Sequence, residues 1–181
     1  MQSPDPATIR SAAAGDLVAF TSIMRACQPH VWRFVRYLVG DDDLAMDLTQ
    51  ETFVRVHRSV ASFRHDADFT TWLLRIARNL VIDEQRRASR RVPIRPIDDA
   101  ASIPDSGPDP GFHAELHAAL ATLTVDQRDA ILLVEVAGLR YREAAEVLDV
   151  AEGTVKSRVF TARASLARWL EPDDRREPQH G

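Results

Sequence analysis

One cysteine, one lysine and almost no strand-like alternation mark this chain of 181 residues. The single thiol, Cys27, rules out an internal disulfide and any zinc site built from several cysteines. It falls in an apolar-periodic stretch, the setting of a buried and inert thiol. No uninterrupted apolar stretch approaches the ~20 residues that cross a bilayer. No basic segment followed by an apolar run opens the chain, so no signal peptide is expected. Neither gives a reason for membrane insertion or export, and the expected place of action is the cytoplasm. No pair of acids has metal-ligand spacing, no Gly-rich phosphate loop is present, and the six histidines are scattered. The sequence therefore offers nothing from which to build an enzyme, a metal site or a cofactor site. Lys156 is the only lysine, so positive charge is otherwise carried by arginine. Arginine presents a planar fork suited to phosphates and guanine edges; a GC-rich genome leaves the same bias. A formal net charge of −4 argues against nucleic-acid binding by the chain as a whole, which turns attention to local patches.

What the chain has is helical periodicity almost throughout. The expected fold class is all-α: two small helical domains, at 5–91 and 112–170, joined by a flexible Pro/Asp-rich linker at 92–111 and followed by a polar tail at 171–181. The linker holds five of the ten prolines, and its four aspartates face one arginine. Proline at that density forbids a helix, and the composition cannot bury a core. In the first domain, helices are expected at 17–39, with a kink or break at Pro29, at 44–60 and at 70–87. The last carries an apolar stripe of Trp72, Leu73, Ile76, Ala77 and Leu80. In the second domain, Leu116, Leu120 and Leu123 mark a short helix. Thr124 and Gln127 form a capping-box pattern opening a helix at 125–137 that stops at Gly138. Helices at 141–148 and 153–170 follow, separated by a turn at 149–152.

Two helices joined by a short turn, the second one basic, describe a helix-turn-helix. On a 3.6-residue period, Val155, Val159, Ala162 and Leu166 share the core face of the last helix. Ser157, Phe160, Thr161, Ala164 and Arg168 point away, with Lys156 and Arg158 on the flanks. The segment 152–168 carries four basic residues and one acid, a net of +3. Lys156 and Arg158 suit phosphate or base contacts. Phe160 is out of pattern on a polar face: it either meets a thymine methyl in the major groove or packs under the linker or a partner. The small residues Gly153, Ser157 and Ala164 would let the helix come close to DNA, or are ordinary surface.

In the first domain, Asp47, Glu51, Arg55 and Arg58 form one outward stripe with Gln50 beside it. This is either a solubilised face held by a Glu51–Arg55 pair or a docking face for a partner helix. The segment 64–91 holds seven arginines and four acids, again a net of +3. Phe63 and His65 stand in the connection around its start. Aromatic rings beside a basic track suit single-stranded DNA, although Trp72 and Phe69 fit the core better.

The order of segments is specific. DLTQETFVRVHRSVASF is followed by TTWLLRIARNLVIDEQRR, then by the linker, then by LTVDQRDAILLVEVAGLRYREAAEVLDVAEGTVKSRVFTARASL. Over residues 8–170 this resembles the extracytoplasmic-function (ECF) sigma factors of bacterial RNA polymerase. The resemblance implies a sigma region 2 bundle and a sigma region 4 helix-turn-helix. It implies a protein that takes core polymerase to promoters and assists DNA opening, in stress or envelope responses. The DLTQETF segment then matches the part that grips the β′ clamp coiled coil, with Asp47, Leu48, Gln50, Glu51, Phe53 and Arg55 as the docking set. The −10 element and its flipped base fall to Phe63, Arg64, His65, Arg75, Arg78, Asn79 and Arg86. The −35 element falls to Gly153, Thr154, Lys156, Ser157, Arg158, Phe160, Thr161 and Arg163. Implied partners are core polymerase, through the clamp and the β flap, and promoter DNA, with an anti-sigma factor as a further partner class. No enzyme activity, metal or cofactor is implied. The chain departs from the family pattern at Thr161, where arginine is common, at Arg140, where serine usually caps a helix, and at Ala151, where proline is common. The Arg140 departure predicts a weaker helix start. The rival reading is a helix-turn-helix regulator that binds duplex DNA without polymerase; a basic helix beside an aromatic loop is superfluous for such a protein.

Overall fold

A computed structural model describes residues 3–63, 68–91 and 110–170, and every element among them is helical. Arg64 and His65, the linker up to residue 109 and the tail lie outside the described residues. The first helix, α1 (Pro6–Ala13), was not expected from periodicity. Its start is local chemistry: the Asp5 carboxylate accepts from the amides of Ala7 (3.0 Å) and Thr8 (3.2 Å), and Pro6 takes the first turn, where no amide is needed. Ile9 and Ala12 anchor α1 on α2 (Leu17–Val39). That helix runs continuously through Pro29, so of the expected kink or break the break does not occur. An interior proline costs about 3 kcal/mol, but Cys27, Val31, Phe34 and Val35 on either side of it are fully buried, and their packing outweighs that cost. Burial also pushes the Cys27 thiol up to about 11, so it is inert as expected.

Gly40 ends α2 with φ +73°. Next comes α3 (Asp42–Ser59), which starts two residues before its expected boundary because Asp41 caps the Leu44 amide at 2.7 Å. A 3-10 turn (Val60–Ser62) leads toward α4 (Phe69–Arg91), which extends four residues past the expected end. Phe69, Leu73, Leu74, Ala77, Leu80 and Val81 give α4 its buried side; Trp72 and Ile76, expected in the stripe, are half-buried at its edge.

In the second half, α5 (Pro110–Ala121) begins two residues inside the segment expected to be linker, with proline at the first helical position. The capping box opens α6 (Val125–Ile131) as expected: Thr124 Oγ1 accepts from Gln127 N–H (3.3 Å), and Gln127 Oε1 accepts from Thr124 N–H (3.1 Å). The helix then widens into a π turn (Leu132–Val136) and stops at Gly138, φ +74°. A period count does not separate this widening from a continuous α-helix. The next helix, α7 (Tyr141–Leu148), has its expected bounds. Arg140 has no acceptor to offer as a cap, but Glu143 reaches back to accept from the Arg140 amide at 2.7 Å, which repairs the expected weakness. Asp149 turns the chain at φ +55°, and α8 (Glu152–Leu170) completes the helix-turn-helix. The two halves touch: α4 packs on α7, and α2 on the π turn, so the buried apolar side chains form one continuous core.

Candidate nucleic-acid and polymerase-docking surfaces

On α3, the 3.6-residue period sorts the DLTQETF segment into two faces. Asp47, Gln50 and Arg58 are exposed, and Glu51 and Arg55 are half-exposed, joined by a 3.1 Å ion pair. Arg55 also lies 3.9 Å from Asp83 of α4. Leu48 and Phe53, expected in the docking set, are instead buried in this domain's own core, because they share the inner face with Val56. Their side chains pack beneath the exposed stripe. Two residues that the sequence did not single out, Met46 and Val54, are exposed apolar side chains on the same helix.

Between α3 and α4 lies an open groove of about 340 Å³ lined by Arg55, Arg58, Ser59, Ile76 and Asn79. Asn79, from the expected −10 set, thus sits next to two residues of the docking stripe. Phe63 is half-buried and packs its ring against Phe69 (5.5 Å, edge-on) and Trp72 (5.0 Å). Arg86 is exposed farther along α4.

Two further −10 candidates, Arg75 and Arg78, meet the second half of the chain. Arg75 donates to the Glu146 carbonyl of α7. Arg78, with its side chain 17% exposed, pairs at 2.6 Å with Asp129 of α6, which is 5% exposed. Burial raises the Asp129 carboxyl above its usual range, and the Arg78 guanidinium pulls it part of the way back. Arg33 of α2 adds a hydrogen bond to the Val136 carbonyl at 2.9 Å. Asp129 gave no signal in the sequence, since one acid in a mixed helix looks like surface.

On α8 the expected faces hold. Val155, Val159 and Ala162 are buried and Leu166 is partly so. Ser157, Thr161 and Ala164 are exposed, and Phe160 is 75% exposed. Gly153 stands in open space and Thr154 is half-buried. Lys156 pairs with Glu152 at 2.7 Å, a bond that raises its ammonium pKa, and it lies 5.9 Å from the Tyr141 ring. Arg158 pairs with Asp126 and Arg163 with Glu135.

The Sigma-70 region 2 family matches residues 23–91, and the Sigma-70 region 4 family matches residues 113–166. The ECF RNA polymerase sigma factor SigC of Mycobacterium tuberculosis is 41% identical over 171 residues, covering 91% of this chain and 90% of that protein. The solved structure of CnrH in complex with the cytosolic domain of CnrY superposes with a TM-score of 0.72 at 26% identity, covering 90% of this chain and 94% of that one. The sigma factor RpoE, solved with the anti-sigma factor NepR from Bartonella quintana, gives 0.69 at 30% identity, covering 85% and 98%. With both regions present in order on exposed helical scaffolds, and a relative this similar over nearly its full length, the chain belongs to the ECF RNA polymerase sigma factors.

Proposed function

We propose that α3 docks this sigma factor on the β′ clamp of core polymerase through Asp47, Gln50, Glu51 and Arg55. The groove holding Asn79 then engages melted −10 DNA, and the outward face of α8 reads the −35 element. The β flap would receive the region 4 half. The observation that carries the reading is the exposed acidic and amide stripe on α3, beside the Asn79 groove, in the same chain as an outward-facing recognition helix. A regulator that binds duplex DNA alone uses only the second of these. In this role the chain performs no catalysis of its own: polymerase supplies the chemistry, and the sigma factor contributes positioning and the capture of unpaired bases. It acts in the cytoplasm, and no described helix is long and apolar enough to cross a membrane. An anti-sigma factor is a further partner on this reading, by extension from RpoE and NepR.

Run-off transcription with purified core polymerase and genomic promoter fragments tests the reading. The expected result is defined transcripts that appear only when this protein is added. Absence of transcripts and of co-purification with core, together with tight duplex binding by the protein alone, would establish the stand-alone regulator instead.

A further inference from the structure

The cations of α8 are already engaged. Lys156 is held by Glu152, Arg158 by Asp126 of α6, and Arg163 by Glu135 of the π turn. Arg168 turns back on its own helix, to the Ala164 carbonyl (3.4 Å) and the Ser165 hydroxyl (3.3 Å). The exposed outward groups at positions 157, 160 and 161 are uncharged. Counted along the helix, 152–168 carries +3; with Asp126 and Glu135 included, it carries +1. Glu152 has a second reason for its place, since an acid in the first turn of a helix is favoured by the backbone dipole. Asp126, in the first turn of α6, shares that reason, whereas Glu135, in the π turn that continues α6, does not. They lie 32 and 28 residues from their partners in sequence, on other elements, and the fold brings each to one arginine of the reading helix.

We propose that Asp126 and Glu135 are specificity-determining residues of promoter recognition, carboxylates that occupy Arg158 and Arg163 where a DNA phosphate would otherwise sit. The proposal rests on α8 being the −35 reading helix. Binding driven by phosphate neutralisation and counterion release is blind to sequence. An arginine already paired must exchange a carboxylate for a phosphate, so the gain from any DNA backbone is small and the displaced carboxylate stays close enough to repel it. Only a site whose base edges and methyl groups fit Ser157, Phe160 and Thr161 recovers the loss. Specificity is thus raised by weakening the wrong complexes, not by strengthening the right one. Exposed ion pairs add little to fold stability, so the carboxylates can be neutralised without unfolding the domain.

The test uses holoenzyme carrying Asp126→Asn, Glu135→Gln or both. Closed-complex affinity is measured on a promoter duplex and on the same duplex with a scrambled −35 element, across a salt series. Each variant is expected to bind the scrambled duplex about three- to tenfold more tightly at about 100 mM salt, the effect of removing a like charge a few ångströms from a phosphate at a wetted surface. Affinity for the promoter should rise less, so discrimination falls. The salt dependence should steepen, by up to about 0.9 in log–log slope per arginine released. Unchanged affinity for scrambled DNA overturns the proposal, and so does an equal rise on both duplexes. A fall on both also overturns it, since the acids would then be orienting the arginines for contact. Arg158→Ala and Phe160→Ala, run alongside, separate the two levels. If neither changes binding, α8 is not on the DNA and the proposal falls with that placement. If they do and the acid variants are silent, the proposal alone falls.

Discussion

Arg78 and Asp129 are 51 residues apart in sequence and 2.6 Å apart in space, and their ion pair joins the region 2 half to the region 4 half. Replacing Arg78 with alanine removes the cation and leaves a carboxylate that is only 5% exposed. Breaking one side of a buried pair costs about 3–5 kcal/mol, because the remaining charge is left without compensation. Parting the halves across the α4–α7 and α2–π-turn contacts rehydrates Asp129 and so relieves the strain. A cost of about 3 kcal/mol shifts the closed–open balance by about 150-fold. Arg78→Ala with Asp129→Ala removes the pair and the stranded charge together, so the double variant is expected to open less than Arg78→Ala alone. The assay is energy transfer between dyes on cysteines placed at Gln28 of α2 and Ala164 of α8, both exposed. Native Cys27 is buried with its thiol raised to about 11, so it stays unlabelled. Opening also frees Arg75 and Arg78, which the second half occupies while it is closed. A distance distribution for Arg78→Ala that matches the unsubstituted protein, or a double variant more open than the single, would refute the reasoning.

Glu51→Arg reverses a charge on the α3 stripe at the loss of one exposed helix pair worth a few tenths of a kcal/mol. Helical circular dichroism should be unchanged while binding to core polymerase weakens at least about tenfold; undiminished co-purification contradicts the docking face. Gly40→Ala forces a side chain onto φ +73° and drives a Cβ into the His117 imidazole, so about 1–2 kcal/mol and ~2–8 °C of Tm should be lost. His117→Ala in that background should recover only the part due to overlap, as read by thermal unfolding. Asn79→Ala, on the open groove, should lower transcription from a duplex promoter about tenfold and from a pre-melted bubble much less, since contacts to an extruded base form only after opening; equal defects on both templates would exclude a role in opening.

Helices that carry their own boundary chemistry were legible from the residues alone. α7 has its expected bounds, the Thr124–Gln127 box opens α6, and Val155, Val159 and Ala162 take the inner face of α8, because caps and period are local properties. α1 was missed because eight residues give periodicity little to work on; the signal was the Asp5–Pro6 pair at its start. The π turn was missed because an inserted residue changes hydrogen bonding without disturbing the apolar pattern around it. Leu48 and Phe53 entered the docking set with a matched motif, which carries residue types but not faces. On a 3.6-residue period both fall on the same side as Val56, and that side is buried.

Electrostatic pairing is the part that no reading along the chain supplies. Counting charge by segment gave +3 to 64–91 and +3 to 152–168, two patches that look free to meet DNA. In the fold, Asp129 neutralises Arg78, and Asp126 and Glu135 neutralise Arg158 and Arg163. All three acids belong to 126–135, the α6 segment and the π turn that follows it. That one stretch faces α4 on one side and α8 on the other. The net charge of −4 is therefore not an average hiding two bare basic patches. Part of it is carboxylates set against Arg78 of α4 and Arg158 and Arg163 of α8, so that a phosphate reaching any of these three must compete with a carboxylate. This accounts for why a protein that works on DNA can be acidic overall, and it makes the short segment 126–135 the place where substitutions should alter both halves at once.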